Sequence, residues 1–261
     1  MKTIKVYTKN NDKTIISKLR EKILTNFTLM INIFSPIFEE SNHTYIIRNS
    51  NGKTLPSVSE MKKKFSPPFQ TDIIAAAYAR KHNIPLQVVL DDWEAKRKKS
   101  LVIGNDAHTY AKNHVESGFK ITPTNDYQRG IYNFWKKNKK KLDILFLETP
   151  LMSLNSSIAG TPDVVCIDSN GDIIILDYKT NGDIYKQNKK QMLNKPLDFL
   201  PDSPYGNYCI QLNYYRLFLL EMLKKLKIKC KIKMYLIWVN PNLKDKYQII
   251  KVNLIPRKYL S

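Results

Sequence analysis

The chain has 261 residues, with 43 Lys plus Arg against 23 Asp plus Glu, for a formal net charge of +20. At 43% hydrophobic and 11% aromatic residues, with only 8 glycines, it can bury a substantial core, which excludes the disordered and collagen-like classes. Its apolar runs, such as Ile173 to Leu176, fall far short of the roughly 18 to 20 residues that cross a bilayer, so no membrane partner is expected.

The start, Met1 to Lys13, is polar and lacks the apolar stretch of a secretory signal, so the expected location is intracellular, in the cytoplasm or with the host DNA. Thr3 to Tyr7 reads as a short strand and Thr14 to about Thr25 as a helix, followed by an irregular apolar stretch ending at Pro36. Residues 1–45 are the expected N-terminal appendage, and residues 46–261 the main domain. His43 to Arg48 with the turn at Asn51-Gly52 predicts a hairpin, and Pro56 to Glu60 with Pro67-Pro68 predicts a loop.

Thr71 is a candidate cap for a helix running through Arg80. Further helices are predicted over Val88 to Lys98, Gly104 to Glu116 and Ile131 to Lys141. From Ile144 the hydrophobic period becomes that of strands, over Ile144 to Glu148, Ser157 to Ile167 and Asp172 to Lys179. A lysine-rich loop, Thr180 to Pro204, leads to an amphipathic helix from Tyr208 to about Lys227. Two more strands follow, Lys231 to Val239 and Tyr247 to Leu254. Helices, a sheet, one helix and further sheet make an α/β pattern.

The charge balance suggests a polyanion, nucleic acid above all, and the run Lys136, Lys137, Lys139, Lys140 and Lys141 is either a solvated helix end or a phosphate track. Cys166, Cys209 and Cys230 are scattered and form no CxxC pair, which supports neither a disulfide framework nor a four-thiolate cluster.

Two stretches carry chemistry: Ala159-Gly160-Thr161-Pro162-Asp163, and Ile175-Leu176-Asp177-Tyr178-Lys179-Thr180. Asp177 and Lys179 lie two apart, so on a strand they share a face while Tyr178 takes the other. If Ser169-Asn170-Gly171 closes the hairpin with Gly171 left-handed, Asp163 pairs with Asp177. Two carboxylates so placed are about 5 Å apart and repel each other, unless a cation lies between them. Hard oxygen ligands suit Mg²⁺ or Mn²⁺. Lys179 on the same face would stabilise the charge of a phosphorane-like transition state. A bare D…DxK is also compatible with hairpin polar residues and a surface lysine; what sets Asp177 apart is that it ends an apolar run.

This segment resembles the core of the PD-(D/E)XK nuclease superfamily, specifically its RecB-like branch. Gly104-Asn105-Asp106-Ala107-His108 is similar to the GxxxH helix motif of that branch, and Gln211-Leu212-Asn213-Tyr214-Tyr215 to its QxxxY helix. Pro56-Ser57-Val58-Ser59 resembles the opening of its mitochondrial genome maintenance exonuclease group. Motif order and spacing agree across residues 56 to 255, about three quarters of the chain.

The resemblance implies a restriction-endonuclease-like α/β core, a central mixed sheet flanked by helices, with extra N-terminal helices. It implies that Asp163, Asp177, the main-chain carbonyl of Tyr178 and His108 bind the metal, that Lys179 is the catalytic lysine, and that Gln211 and Tyr215 contact DNA. Glu148 precedes the strand pair as an acidic residue often does in these enzymes; it would hold a water or second metal, or simply be an exposed strand-end carboxylate. His114, six positions from His108, faces elsewhere on the helix. Tyr127, Tyr132, Phe134 and Trp135 read as core residues. Three scattered cysteines cannot supply the iron–sulfur cluster of some members, so the cluster-free members are the comparison.

The expected function is metal-dependent DNA exonuclease activity on single-stranded ends, in replication, recombination or repair, by a monomer. The alternatives are a structure-specific endonuclease on the same core and a non-catalytic DNA-binding protein.

Overall fold

The computed structural model describes residues 4–5, 17–26, 36–39, 41–42, 44–48, 50–153, 155–187 and 191–260. Strand β1 (Ile4–Lys5) and helix α1 (residues 17–26) are followed by β2 (Ile37–Glu39), β3 (Thr44–Ile46) and β4 (Thr54–Leu55). Helices α2 (Val58–Phe65), α3 (Thr71–His82), α4 (Leu86–Glu116) and α5 (Asp126–Asn138) come next. The remainder is β5 (Leu142–Leu147), β6 (Leu151–Met152), β7 (Ala159–Gly160), β8 (Val164–Asp168), β9 (Ile173–Lys179), α6 (Pro204–Lys225), β10 (Ile228–Lys229), β11 (Ile232–Val239) and β12 (Tyr247–Lys251).

The expected α/β class and mixed sheet are present. Five strands form it in the order β12-β11-β9-β8-β5, with β9 and β11 parallel and the other neighbours antiparallel. The parallel pair requires a crossover, which α6 supplies. Strand β9 is central and buried on both faces, so it reads as a near-continuous apolar run rather than an alternating one. Ile173 and Ile175 pack into the cluster that holds Leu212, Phe218 and Leu219 of α6 and Val58 of α2. Ile174, Leu176 and Tyr178 pack into the other, with Ala107 and Tyr110 of α4 and Phe134 and Trp135 of α5. Helices α4 and α5 therefore cover one face of the sheet and α6 with α2 the other.

Several elements differ from expectation. Helix α2 occupies the stretch expected as a loop: Ser57 accepts from Glu60 N–H and the Glu60 carboxylate accepts from Ser57 N–H, a capping box that satisfies two otherwise orphaned amides. The two helices expected at 88–98 and 104–116 are one, α4, because Gly104 costs only about 1 kcal/mol inside a helix. Helix α5 starts early on an Asn125 cap and ends at Asn138, and α6 starts early on a Ser203 cap with Pro204 in its first turn. Gln70, not Thr71, precedes α3. The strand expected over 157–167 breaks at Thr161 to Asp163 into β7 and β8. The expected loop at 180–204 buries Ile184, Leu193 and Leu197 in the main core.

The turn at Asn51-Gly52 joins β3 to β4 as expected, with both residues at positive φ, and β2 adds a third strand; His43 lies outside the described residues. The boundary expected after residue 45 falls within β3. Strand β1 pairs with β10, and Leu19 and Ile23 of α1 join the main core. Thr14 and the apolar stretch before Pro36 lie outside the described residues. No helix among the described residues is long and apolar enough to cross a membrane.

Candidate active site

The β8–β9 hairpin closes through Ser169-Asn170-Gly171, with Gly171 at φ 77°, and pairs Val164 with Leu176 and Cys166 with Ile174. Continued by one residue, this register sets Asp163 opposite Asp177. Asp163 lies just before β8, and its Oδ2 accepts the Tyr178 N–H at 2.7 Å, standing in for the ladder bond that the shortened strand no longer makes. Within a strand, the N–H and C=O of one residue point to the same side, so the Tyr178 carbonyl also faces Asp163. On the opposite sheet face the Tyr178 hydroxyl accepts from Trp135 Nε1 at 2.8 Å, anchoring this end of β9 to the core.

Asp177 and Lys179 share the α6 side of β9, with Lys179 Nζ 2.5 Å from Asp177 Oδ2. Asp177 is only 1% exposed, so this contact lies inside the protein. Its Oδ1 takes a long hydrogen bond, 3.4 Å, from Gln211 Nε2. His108 approaches from α4, across the sheet, with Nδ1 3.3 Å from Asp163 Oδ2.

These contacts set the charges. Burial raises the Asp177 carboxyl, the neighbouring Asp163 charge adds to this, and Lys179 only partly offsets it, so Asp177 holds its proton more tightly than usual. Burial also works to raise Asp163, but His108, Lys179 and the Tyr178 amide together outweigh it and hold this carboxyl below the usual range. His108 is raised, chiefly by Asp163. Burial works against the Lys179 ammonium, yet Asp177 and Asp163 push it above its ordinary value.

Five sequence-predicted residues, His108, Asp163, Asp177, Lys179 and Gln211, are thus linked in one run of contacts, with the Tyr178 backbone between them. Tyr215 is 4% exposed and accepts from Gln211 Nε2 at 2.9 Å, so here it positions Gln211 from within the core. It packs so tightly on β7 that a Cβ on Gly160 would lie 2.6 Å from its ring and 2.9 Å from Val58. Glu148 donates its N–H to the Asp163 carbonyl at 2.9 Å, but its carboxylate lies 3.3 Å from Lys112 of α4. His114 is buried among Tyr110, Phe119 and Tyr132, away from the site as the helical spacing predicts. Phe134 and Trp135 are core residues, while Tyr127 and Tyr132 are only partly buried.

Among the described residues no group of three or more His, Cys, Asp or Glu side chains is gathered closely enough to hold an ion as it stands. Asp163 is turned to His108 and Tyr178, and Asp177 to Lys179, so cationic and polar partners take up the negative charge. Beside His108 and Lys179 opens a cleft of about 550 Å³ that extends past Tyr208 and Asn181 to Arg97 and Tyr127.

Three further residues belong to this neighbourhood. Tyr208 donates to Asn181 Oδ1 at 2.5 Å, and its ring lies 4.6 Å from Lys179 Nζ. Tyr208 is one helical turn before Gln211, a spacing readable in the sequence. Lys62 of α2 donates to Gln211 Oε1 at 3.2 Å. Only the Ser57–Glu60 capping signal, by revealing α2, pointed towards it. No protein-family model matches this sequence, and no curated protein matches it.

Proposed function

We propose that this chain is a divalent-metal-dependent deoxyribonuclease of the RecB-like PD-(D/E)XK type, with a restriction-endonuclease-like core, that hydrolyses phosphodiester bonds from single-stranded DNA ends during replication, recombination or repair. One observation carries the reading. Asp163 and Asp177, an adjacent half-buried lysine, an imidazole and a glutamine meet at the end of β9, although they come from α4, the β8–β9 hairpin and α6. A protein that only binds DNA has no use for two neighbouring carboxylates at such a place, since they repel phosphate.

The donor set fits a hard divalent cation. Asp177 is 1% exposed and the Asp163 side chain 14%, both at the same end of the β8–β9 hairpin, and carboxylate oxygens so withdrawn from water suit such an ion. Asp163, Asp177, the Tyr178 carbonyl and His108 are the residues that would hold Mg²⁺ or Mn²⁺. The ion supplies Lewis-acid polarisation of the phosphoryl group and of the attacking water. Lys179, kept charged by its two carboxylates, would donate to a phosphoryl oxygen as negative charge develops, a contribution of about 10²- to 10³-fold in rate. Gln211, held by Tyr215, orients Asp177. The +20 balance draws in the strand.

The test is incubation of the purified chain with end-labelled linear and with circular single-stranded DNA, with Mg²⁺ or Mn²⁺ and with EDTA. Metal-dependent shortening of the linear strand alone is expected. Cleavage of circles replaces the exonuclease with an endonuclease, and no metal-dependent cleavage of either sinks the nuclease reading.

A further inference from the structure

Lys62 extends from the second turn of α2 to the α6 side of the site and lies half-buried, with Nζ 3.2 Å from Gln211 Oε1 and 5.8 Å from the Tyr208 ring centroid. The same ring has the Lys179 ammonium 4.6 Å from its centroid, so two ammonium groups share one aromatic ring. Lys179 is neutralised by Asp177; Lys62, among the described residues, forms no ion pair. Its only hydrogen-bond partner there is the neutral amide oxygen of Gln211.

A half-buried cation facing a second cation, with only an amide as acceptor, is costly unless an anion completes it. Burial first, and then the Lys179 charge, outweigh the favourable Asp177 charge and lower the Lys62 ammonium to about 8, which leaves it mostly protonated at neutral pH and without an ion-pair partner among the described residues. Around this group stand Lys179 and Asp177 from β9, Gln211 and Tyr208 from α6 and Lys63 on its own helix. Asp177 is the acid whose charge acts on Lys62, and Lys179 already engages it. His108 reaches the carboxylates from the α4 face of the sheet and Lys62 from the α6 face, so a strand crossing the end of β9 would meet both.

We propose that Lys62 is a substrate-binding residue of this site, whose ammonium takes a non-bridging oxygen of one phosphodiester in the strand being cut. This rests on the nuclease reading above. It assigns α2 a function beyond packing: its capping box fixes the helix start, and its second turn delivers the cation. Gln211 then has two tasks, orienting Asp177 through its Nε2 and Lys62 through its Oε1.

The test uses the full chain with Mg²⁺ and a 5′-fluorescein single-stranded oligonucleotide that carries one neutral methylphosphonate linkage at successive positions near the cut. In the natural chain, one linkage position beside the cut is expected to slow cleavage about 10- to 100-fold, the value of a hydrogen bond to a charged group. Lys62→Met should slow the all-phosphate strand by a similar factor and lose the sensitivity at that one position, while the Tm holds or rises. Lys62→Arg should keep both cleavage and sensitivity. If Lys62→Met cuts at the natural rate, or keeps the full methylphosphonate effect at every position, the proposal falls and the nuclease reading stands. If Lys62→Met does not fold, loss of the sensitivity in Lys62→Arg overturns the proposal and its retention supports it. If the natural chain does not cut in the presence of metal, both fall together.

Discussion

Helix α6 runs between two clefts that differ in what they leave unresolved. On one side, Tyr208 and Gln211 border the carboxylates, beside a cleft of about 550 Å³. On the other, Leu217, Leu220, Leu254 and Pro256 line a larger cleft of about 690 Å³ with charged groups among them. Its acid, Glu221, is satisfied: Ser153 donates to it at 3.0 Å and Arg257 lies 3.5 Å away. Asp177, by contrast, is buried beside the Lys179 ammonium and still has a raised carboxyl. Volume marks where something fits, whereas a buried carboxyl with a shifted proton affinity is the better pointer to a candidate site, and it is the smaller cleft that lies beside one.

The sharpest way to break this comparison is to remove the charge. Asp177→Asn keeps the shape, so metal-dependent cleavage should drop by about 10³-fold or more while single-strand affinity, read by fluorescence anisotropy, changes only a few-fold. Lys179→Ala should lose about 10²- to 10³-fold by the same assay. Either variant cutting at the natural rate moves the site elsewhere.

Next in size is the packing that holds Gln211 in place. Gly160→Val forces side-chain atoms into the Tyr215 ring and should destabilise the fold by about 1–3 kcal/mol in urea unfolding, with reduced cleavage from whatever remains folded. Unchanged stability means that the contact between β7 and α6 is looser than described.

A smaller effect concerns His114. Burial holds its imidazole below the ordinary value, so the unfolded chain takes up a proton that the folded chain resists. Its contribution to stability is therefore full above about pH 6.5 and is lost as the pH falls below that. His114→Phe should flatten the decline in Tm between pH 7.5 and pH 5. An unchanged slope assigns the decline to other groups. The smallest effect is expected in the larger cleft, where Leu220→Ala should leave cleavage within about twofold of natural; a large loss there would undo the contrast between the two sides of α6.

Much of the site was legible because it is local. The β8–β9 register, Val164 with Leu176 through Ile167 with Ile173, follows from a three-residue connection with a left-handed glycine, since turn geometry dictates register over the few residues beyond it. The same-face placement of Asp177 and Lys179 follows from the strand period alone. His108 was singled out by motif resemblance and not by any physical property of its neighbours, since its partner Asp163 is 55 positions away. Helix α2 was missed although its capping box stood in the sequence, because flanking prolines outweighed a signal that requires reading Ser57 and Glu60 together.

The sequence by itself determined the α/β pattern, the hairpin register and the face on which the carboxylate and lysine sit, all consequences of backbone period and turn chemistry between near neighbours. Only the tertiary structure decided that Tyr215 supports Gln211 from the core, that the Glu148 side chain turns to Lys112, and that Lys62 reaches the site. Those placements depend on how α2, α4 and α6 pack on the two faces of one sheet. Packing of that kind is fixed by side-chain shape across more than a hundred residues of intervening chain, as between Lys62 and Gln211, and carries no periodic signal along the sequence.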